Sequence, residues 1–283
     1  MLNIIKMDLY RMRKMRSILV IWMVMAFILF FSTIMMHEEY ADPVMNKKNQ
    51  EEIAKNQDEA AEDSLGIYVL IPTEPGEKVT VYDMVYANTQ GKVISLFIAI
   101  FSVLFSTADL RNGFIKNIGG QTKKRYHLIL SKAAVLFLFT VLTFAVTVAV
   151  QTISNIISFG YLEFGPQKEF LSYLLTEGML HYGLTLIVMG IAILISNNVI
   201  SMTIAVCLCM NMTMILYGFV NNAGDMLFGE TWNIVPYTVS GQIGSIGIHL
   251  TGQEALRGIW TAAIYGIVFV ILSMFVFQKR DIR

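Results

Sequence analysis

The feature that most constrains this chain is a series of six apolar stretches, each close to the length that a membrane crossing requires. A helix needs roughly twenty apolar residues to span the hydrocarbon core of a bilayer. In lipid, every backbone amide must find its hydrogen-bond partner within the protein, so these stretches are predicted to be helices. The predicted spans are residues 17–36, 86–107, 128–153, 171–195, 199–220 and 258–277. The sequence therefore predicts an all-α integral membrane protein with six transmembrane helices in one domain, residues 1–283.

The composition agrees with this class and argues against others. Hydrophobic residues make up 55% of the chain, charged residues only 15%, and the mean hydropathy is +0.59. A soluble domain carries about 25% charged residues. The formal net charge is zero, whereas a domain that binds nucleic acid carries a basic excess. We therefore expect the chain to contact membrane lipid and not nucleic acid.

Basic residues are distributed unequally between the loops, which predicts the orientation of the spans. Cytoplasmic loops are enriched in lysine and arginine. The loop of residues 37–85 holds four lysines and twelve acidic residues, so it is predicted to be extracellular and both termini cytoplasmic. With six spans, three basic clusters fall on the other, cytoplasmic side: Lys6, Arg11, Arg13, Lys14 and Arg16; Arg111, Lys116, Lys123, Lys124, Arg125 and Lys132; and Lys279, Arg280 and Arg283.

Residues 1–16 form an amphipathic segment ahead of the first span. Leu2, Ile5, Leu9 and Met12 fall on one helical face, and the basic side chains point elsewhere. A basic amphipathic helix beside a span is typical of an interfacial helix on the inner leaflet. A plain topology anchor in the same place explains the pattern equally well.

The cytoplasmic loop of residues 109–127 holds the clearest candidate for a protein contact. Its first part is amphipathic, and Gly119 and Gly120 interrupt it. A short helix that presents Phe114 and Ile115 would fit a groove on a cytoplasmic partner. By composition alone, a basic loop that only sets the topology is favoured. The candidate partner-interface residues are Arg111, Asn112, Gly113, Phe114, Ile115 and Lys116.

Polar residues within spans are costly and often functional. Lys92 lies near the outer end of the second span, where its stem is expected to reach the lipid headgroups. Asn211 is central in the fifth span and either faces a pathway or joins two helices. Lys92 and Asn211 are therefore the candidate substrate-pathway residues. Glu177 and His181 are one helical turn apart, and a pair at the outer interface is favoured over a metal or proton site.

Residues 221–257 are too apolar for a solvated loop and too rich in glycine for a span. They are predicted to form short extracellular helices that lie at the outer interface or dip into it. Trp232, Tyr237 and Trp260 suit the aromatic belt at that depth.

The sequence lacks the usual motifs for hydrolytic chemistry. It contains no G-x-x-x-x-G-K-[ST] phosphate loop and no H-E-x-x-H zinc motif. Gly160 and Gly165 have the phosphate-loop spacing, but Pro166 and Gln167 follow them. The polar groups of the spans are scattered along the sequence, so no catalytic set is visible. We therefore expect a chain that is not an enzyme and that binds no metal or cofactor itself.

Two short patterns flank the spans. After the second span come Asp109, Gly113, Lys124, Arg125 and Lys132, and after the sixth come Phe277, Lys279, Arg280, Asp281 and Ile282. In these patterns the chain resembles the permease subunits of type-two ABC exporters, which also have an interfacial helix before the first span and broken helices before the sixth. Asp109 departs from the more usual glutamate of that family. The long acidic loop is closer to permeases of small bacterial peptide exporters, including those for lantibiotics and phenol-soluble modulins.

The resemblance implies a homodimeric permease in the bacterial plasma membrane that pairs with two copies of an ATP-binding ABC subunit. ATP and Mg²⁺ would bind to that partner, whose closure would push the coupling helix and move a small amphipathic peptide or lipophilic substrate out of the cell. Two other classes stay open at this point. One is an ATP-independent sensor or immunity protein that binds a ligand through the acidic loop, and the other is an intramembrane enzyme.

Overall fold

The computed structural model describes residues 1–42, 44, 47–48, 51, 69–74, 76–111, 125–210, 212–229 and 233–279, except the side chains of residues 109–111 and 228. Within these ranges the chain is helical and contains no β-strand, which confirms the predicted all-α class. The α-helices in chain order are α1 (Leu2–Lys14), α2 (Arg16–Ala41), α3 (Val81–Gln90), α4 (Val93–Arg111), α5 (Tyr126–Phe159), α6 (Gln167–Ile195), α7 (Asn198–Cys209), α8 (Thr213–Phe228), α9 (Val239–Ser245) and α10 (Gly252–Lys279), with a 3₁₀ turn at Val235–Tyr237.

Four of these helices, α2, α5, α6 and α10, are long and apolar enough to cross a membrane. Two further candidates arise if α3 and α4 count as one bent span and α7 and α8 as another. Each of the six predicted apolar stretches falls on one of these candidates. The described residues therefore contain four to six candidate membrane spans, all of them helical.

The second and fifth stretches are broken, whereas the sequence predicted one helix for each. α3 and α4 meet at a 58° bend at Gly91 and Lys92, and the bend between α7 and α8 also exceeds 40°. Lys92 has a φ of +58°, in the left-handed region that interrupts helical geometry. α3 has its own start signal, because Thr80 and Asp83 form a reciprocal capping box. Hydropathy averaged over a stretch does not register such a break.

Side-chain contacts define the relative directions of neighbouring helices. α2 and α5 run parallel. Trp22 Nε1 donates to Thr143 Oγ1 at 3.1 Å, and further along both helices Thr33 Oγ1 lies 3.0 Å from Gln151 Oε1.

α4 runs antiparallel to α5. The rings of Phe101 and Phe139 stack with their centroids 3.8 Å apart, and Lys132 Nζ donates to the Phe105 carbonyl oxygen at 3.4 Å. Residue numbers rise along α4 as they fall along α5, as expected for consecutive spans.

α6 and α10 run parallel and approach closely through glycines. A Cβ added at Gly183 would lie 2.9 Å from the Ala262 Cα, and one added at Gly190 would lie 2.7 Å from a ring carbon of Phe269. Small residues allow helix backbones this close in membrane proteins.

Replacing Gly183 by alanine is expected to lower stability, although alanine is the better helix former. The new methyl group would meet the backbone of Ala262, and overpacking of this kind costs roughly 1–3 kcal/mol. Gly178→Ala is the matched control on α6, because nothing lies within 4 Å of its added carbon, and it is expected to gain up to about 1 kcal/mol. Thermal unfolding of both variants in detergent measures the difference. Equal midpoints would contradict this account of the contact.

The described parts of the three basic clusters lie at one end of the helix bundle, as predicted, and we call this the basic end. Ser131 Oγ, near the start of α5, donates to Asp8 Oδ2 of α1 at 2.6 Å. The end of α4 meets the start of α7, where Thr107 Oγ1 and Asn198 Oδ1 are 3.1 Å apart. α10 runs parallel to α6, so Lys279 lies at the same end. The membrane side that this end faces stays a prediction.

α1 packs on α5, but the residue that is most buried in this contact is not one of the predicted apolar face. Met12 of the predicted apolar face is buried, but Leu2 is 72% exposed. The most enclosed side chain of α1 is Asp8. Its burial is tolerated because its carboxylate accepts from Ser131 and pairs with Arg11 at 3.4 Å.

Residues 221–257, predicted to form only short outer helices, begin instead as the continuation of a longer helix. Residues 221–228 continue α8, and the 3₁₀ turn and α9 follow. Residues 239–243 of α9 are buried against the other helices, and the depth of this segment in the membrane stays a prediction. Tyr237 and Trp260 are exposed, and their place in an aromatic belt stays a prediction. Trp232, Asn211, residues 112–124 of the cytoplasmic loop and residues 52–68 of the acidic loop lie outside the described residues.

Candidate functional site: a buried polar cluster

Four polar side chains form a stripe along α6. Tyr173, Glu177, His181 and Thr185 are spaced four residues apart, so they share one face of the helix, and all four are fully buried. α4 packs over this face, with Ser95 against His181. The preference for Glu177 and His181 as a pair at the outer interface is therefore wrong.

His181 has a defined proton arrangement in its neutral form. Its Nδ1 lies 2.8 Å from the backbone carbonyl oxygen of Glu177, which can only accept a hydrogen bond. Nδ1 therefore carries the proton, and Nε2 accepts from the Ser95 hydroxyl at 2.8 Å. Both polar atoms of the imidazole are satisfied, and the ring is fixed between α4 and α6.

Glu177 is the least satisfied member of the stripe. Its Oε2 lies 3.3 Å from His181 Nδ1, but that N–H points to the Glu177 carbonyl oxygen, so the contact is electrostatic. Among the described residues neither carboxylate oxygen has a hydrogen-bond donor. A buried carboxylate is costly without a counter-charge. Lys92 is a cation of the same buried region, but it is not in direct contact with Glu177.

Lys92 occupies the break between α3 and α4 and is 1% exposed, so the expectation that it reaches the headgroups is wrong. Its Nζ donates to Ser240 Oγ of α9 at 3.3 Å, and Ser240 in turn donates to the Leu208 carbonyl oxygen of α7 at 2.8 Å. Gly244 allows this approach, because a Cβ there would lie 3.2 Å from Lys92 Cε. α9 thus covers the lysine and separates it from lipid.

We call Lys92, Ser95, Glu177, His181 and Ser240 the buried polar cluster. The sequence interpretation of these groups as scattered is wrong, because the fold gathers them from the helix break, α4, α6 and α9. Ionisable groups enclosed within candidate spans mark functional sites more often than other positions do. The cluster joins the broken span to α6 and α9 by charge attraction and hydrogen bonds.

The Ser95–His181 contact has the distance of a nucleophile and its base. Ser95 is fully buried, however, so no substrate carbonyl reaches its Oγ in this conformation. No group of three or more metal-ligating side chains occurs in the described part of the chain. The geometry fits a structural hydrogen bond between α4 and α6.

The predicted site residues are only partly covered by the structure. Lys92 belongs to the buried polar cluster, and Arg111 is the last residue of α4. The candidate interface residues 112–116 and Asn211 lie outside the described residues. Sequence reasoning missed Ser95 and Ser240. The four-residue spacing along α6 was a signal for the stripe itself, whereas nothing local marks Ser240 as a partner of Lys92.

The fold is that of an all-helical protein with four to six candidate membrane spans and a polar cluster enclosed among them. The chain belongs to the family described as protein of unknown function (DUF2705), whose sequence profile matches residues 55–283. A search of curated proteins finds no match to the sequence.

Proposed function

We propose that this chain is the transmembrane permease subunit of an ATP-driven exporter in the bacterial plasma membrane. Two copies of the chain pair with two copies of an ATP-binding ABC subunit and move a small amphipathic peptide or lipophilic substrate outward. ATP and Mg²⁺ bind to that partner, so the chain itself is not an enzyme. Its six spans are α2, α5, α6, α10 and the two bent pairs, with both termini cytoplasmic.

The proposal rests on the position of the two helix ends that flank the loop of residues 109–127, which we call the coupling loop. α4 ends at Arg111 and α5 begins at Tyr126, and both ends lie at the basic end beside α1. The positive-inside rule assigns this end to the cytoplasm. The loop that holds the family motif thus leaves the bundle on the side where an ATPase would dock.

The exposed surface supports a second copy and a lipid environment. In the apolar parts of α2 and α10, only 28% and 22% of the residues are buried against the rest of the described structure. Apolar surface of this extent needs a covering partner or lipid. In the proposal, both occur: lipid surrounds the homodimer, and part of this surface forms the contact between the copies.

α4 provides a physical link between the coupling loop and the buried polar cluster. It is one continuous helix of 19 residues, about 28 Å long, with Ser95 near its first turn and the coupling loop at its other end. A push on the loop of residues 109–127 moves this rigid element against α6 and α7. Lys92, at the break beside α4, is in the proposal a pathway residue whose contacts open and close during transport.

Purification from the native host tests the proposal. The chain is extracted in mild detergent with nucleotide present, and the proteins that copurify are identified by mass spectrometry. We expect a stoichiometric subunit with a phosphate-loop motif. Its absence would contradict the exporter and favour an ATP-independent sensor or immunity protein that binds a ligand through residues 37–85.

A further inference from the structure

A cavity of 440 Å³ opens at the basic end, between the C-terminal half of α1, the first turn of α2, the end of α4 and the start of α7. Its lining combines two cations with polar and apolar groups. The residues that matter here are Arg11, Lys14, Ser17, Leu104, Thr107 and Asn198.

We propose that this cavity binds the phosphate headgroup of an anionic phospholipid from the leaflet at the basic end. The inference is independent of the exporter proposal, because it depends only on the chemistry and surroundings of the cavity.

The charge of the cavity favours a phosphate. Arg11 is held at the wall by Asp8, at 3.4 Å, and the second Asp8 oxygen accepts from Ser131. The exposed Lys14 adds a second positive charge to the wall of the cavity. Arginine and lysine are the side chains that bind phosphate most effectively. Basic pockets between membrane helices are typical sites for anionic headgroups.

The start of α2 contributes hydrogen-bond donors. α2 begins at Arg16, and no side chain caps its first turn, to which Ser17 of the lining belongs. Peptide N–H groups at such an end have no partner within the helix. The C-terminus of α1 lies beside it, so the two helix dipoles oppose each other here. On the opposite wall, the contact between Thr107 and Asn198 contributes polar atoms.

Apolar tracks that lead away from the cavity favour a lipid over a free anion. On α2, Val20, Val24 and Ile28 follow Ser17 at helical spacing, and they are 51%, 46% and 38% exposed. On α4, Ile100 and Leu96 continue the face of Leu104, and all three are half-buried. A phospholipid whose headgroup occupies the cavity has its acyl chains along these two faces.

Binding of a soluble short-chain lipid tests the proposal. The full-length chain, purified in neutral detergent and freed of lipid, is titrated calorimetrically with dihexanoyl phosphatidylglycerol, dihexanoyl phosphatidylcholine and inorganic phosphate. We expect saturable binding of phosphatidylglycerol alone. Lys14→Glu is expected to raise its Kd by about tenfold or more. Arg13→Glu is the matched control, since Arg13 is the exposed neighbour that does not line the cavity, and its effect should stay below about threefold.

Thermal unfolding confirms that both variants remain folded, which is expected because both side chains are exposed. Three outcomes would overturn the proposal. Equal losses in the two variants would indicate general charge attraction. Equal binding of phosphatidylcholine would remove the role of the anionic headgroup. Displacement of the lipid by inorganic phosphate at equal concentration would identify a free anion as the ligand.

Discussion

Replacing Lys92 by methionine is expected to lower the free energy of unfolding by roughly 1–3 kcal/mol, because its buried hydrogen bond to Ser240 is lost and a cation near Glu177 is removed. Methionine has a similar length and the same constraint at a φ of +58°, so the main change is the loss of charge. Without the ammonium group, the Glu177 carboxylate stays fully buried, with His181 Nδ1 at 3.3 Å as its remaining polar neighbour. Lys92 and Glu177 are not in direct contact, so the loss is smaller than for the removal of one partner from a buried ion pair.

A double-mutant cycle separates this pairing from packing effects. Glu177→Gln alone is expected to destabilise the chain as well, because Lys92 then stays buried with one fewer negative charge near it. The double variant is expected to be more stable than the sum of the single effects, by about 1–3 kcal/mol. Unfolding in mixed detergent micelles with increasing dodecyl sulfate, followed by circular dichroism, measures each free energy.

Lys78→Met is the matched control for the cycle. Lys78 lies 3.5 Å from Glu163, but both side chains are well exposed. Surface pairs of this kind contribute less than about 1 kcal/mol. Strictly additive effects of the Lys92 and Glu177 substitutions, or a loss at Lys78 as large as at Lys92, would contradict the role of the buried polar cluster.

Phe114→Asp is expected to reduce ATP-driven transport, and the stimulation of the partner's ATPase activity, by about tenfold or more. In the proposed function Phe114 is the apolar anchor of the coupling helix in a groove of the ATP-binding subunit. A carboxylate at this position would have to lose its hydration without gaining a partner. Proteoliposomes that contain the chain and its copurified ATP-binding subunit allow both activities to be measured.

Two controls keep this result interpretable. Phe114→Leu retains an apolar anchor and is expected to keep most of the activity, whereas Lys123→Gln changes only the charge of the same loop. The amount of each variant in the membrane must equal that of the unaltered chain, because insertion depends on the spans and not on the loop. Undiminished transport by Phe114→Asp would rule out residues 111–116 as the coupling contact.

The apolar stretches predicted the helices well for a physical reason. A helix satisfies its own backbone hydrogen bonds, so a long apolar run in lipid forms a helix whatever the rest of the chain does. α2, α5, α6 and α10 accordingly fall on their predicted stretches and extend them by a few residues. The break at Lys92 was not predictable in this way, because the residue takes a left-handed backbone conformation in the middle of an apolar stretch. Its side chain there contacts Ser240 of α9, which is distant in the sequence.

The buried polar cluster likewise combines a feature that the local sequence predicts with contacts that only the packing of helices creates. Glu177 and His181 attracted attention in the sequence because a helical turn separates them, but their burial depends on what packs against α6. The Ser95–His181 contact joins residues 86 positions apart, and the Lys92–Ser240 contact joins residues 148 apart. Neither distance is encoded in a local pattern.

The sequence by itself determined the helical class, the candidate spans and the grouping of basic residues, because each depends on local composition or on counting loops. Only the tertiary structure decided which polar side chains are enclosed, where two of the spans bend, and that Asp8 joins α1 to α5. The physical reason is that a buried polar or charged side chain depends on the groups packed around it. Those groups are supplied by packing between helices far apart in the chain.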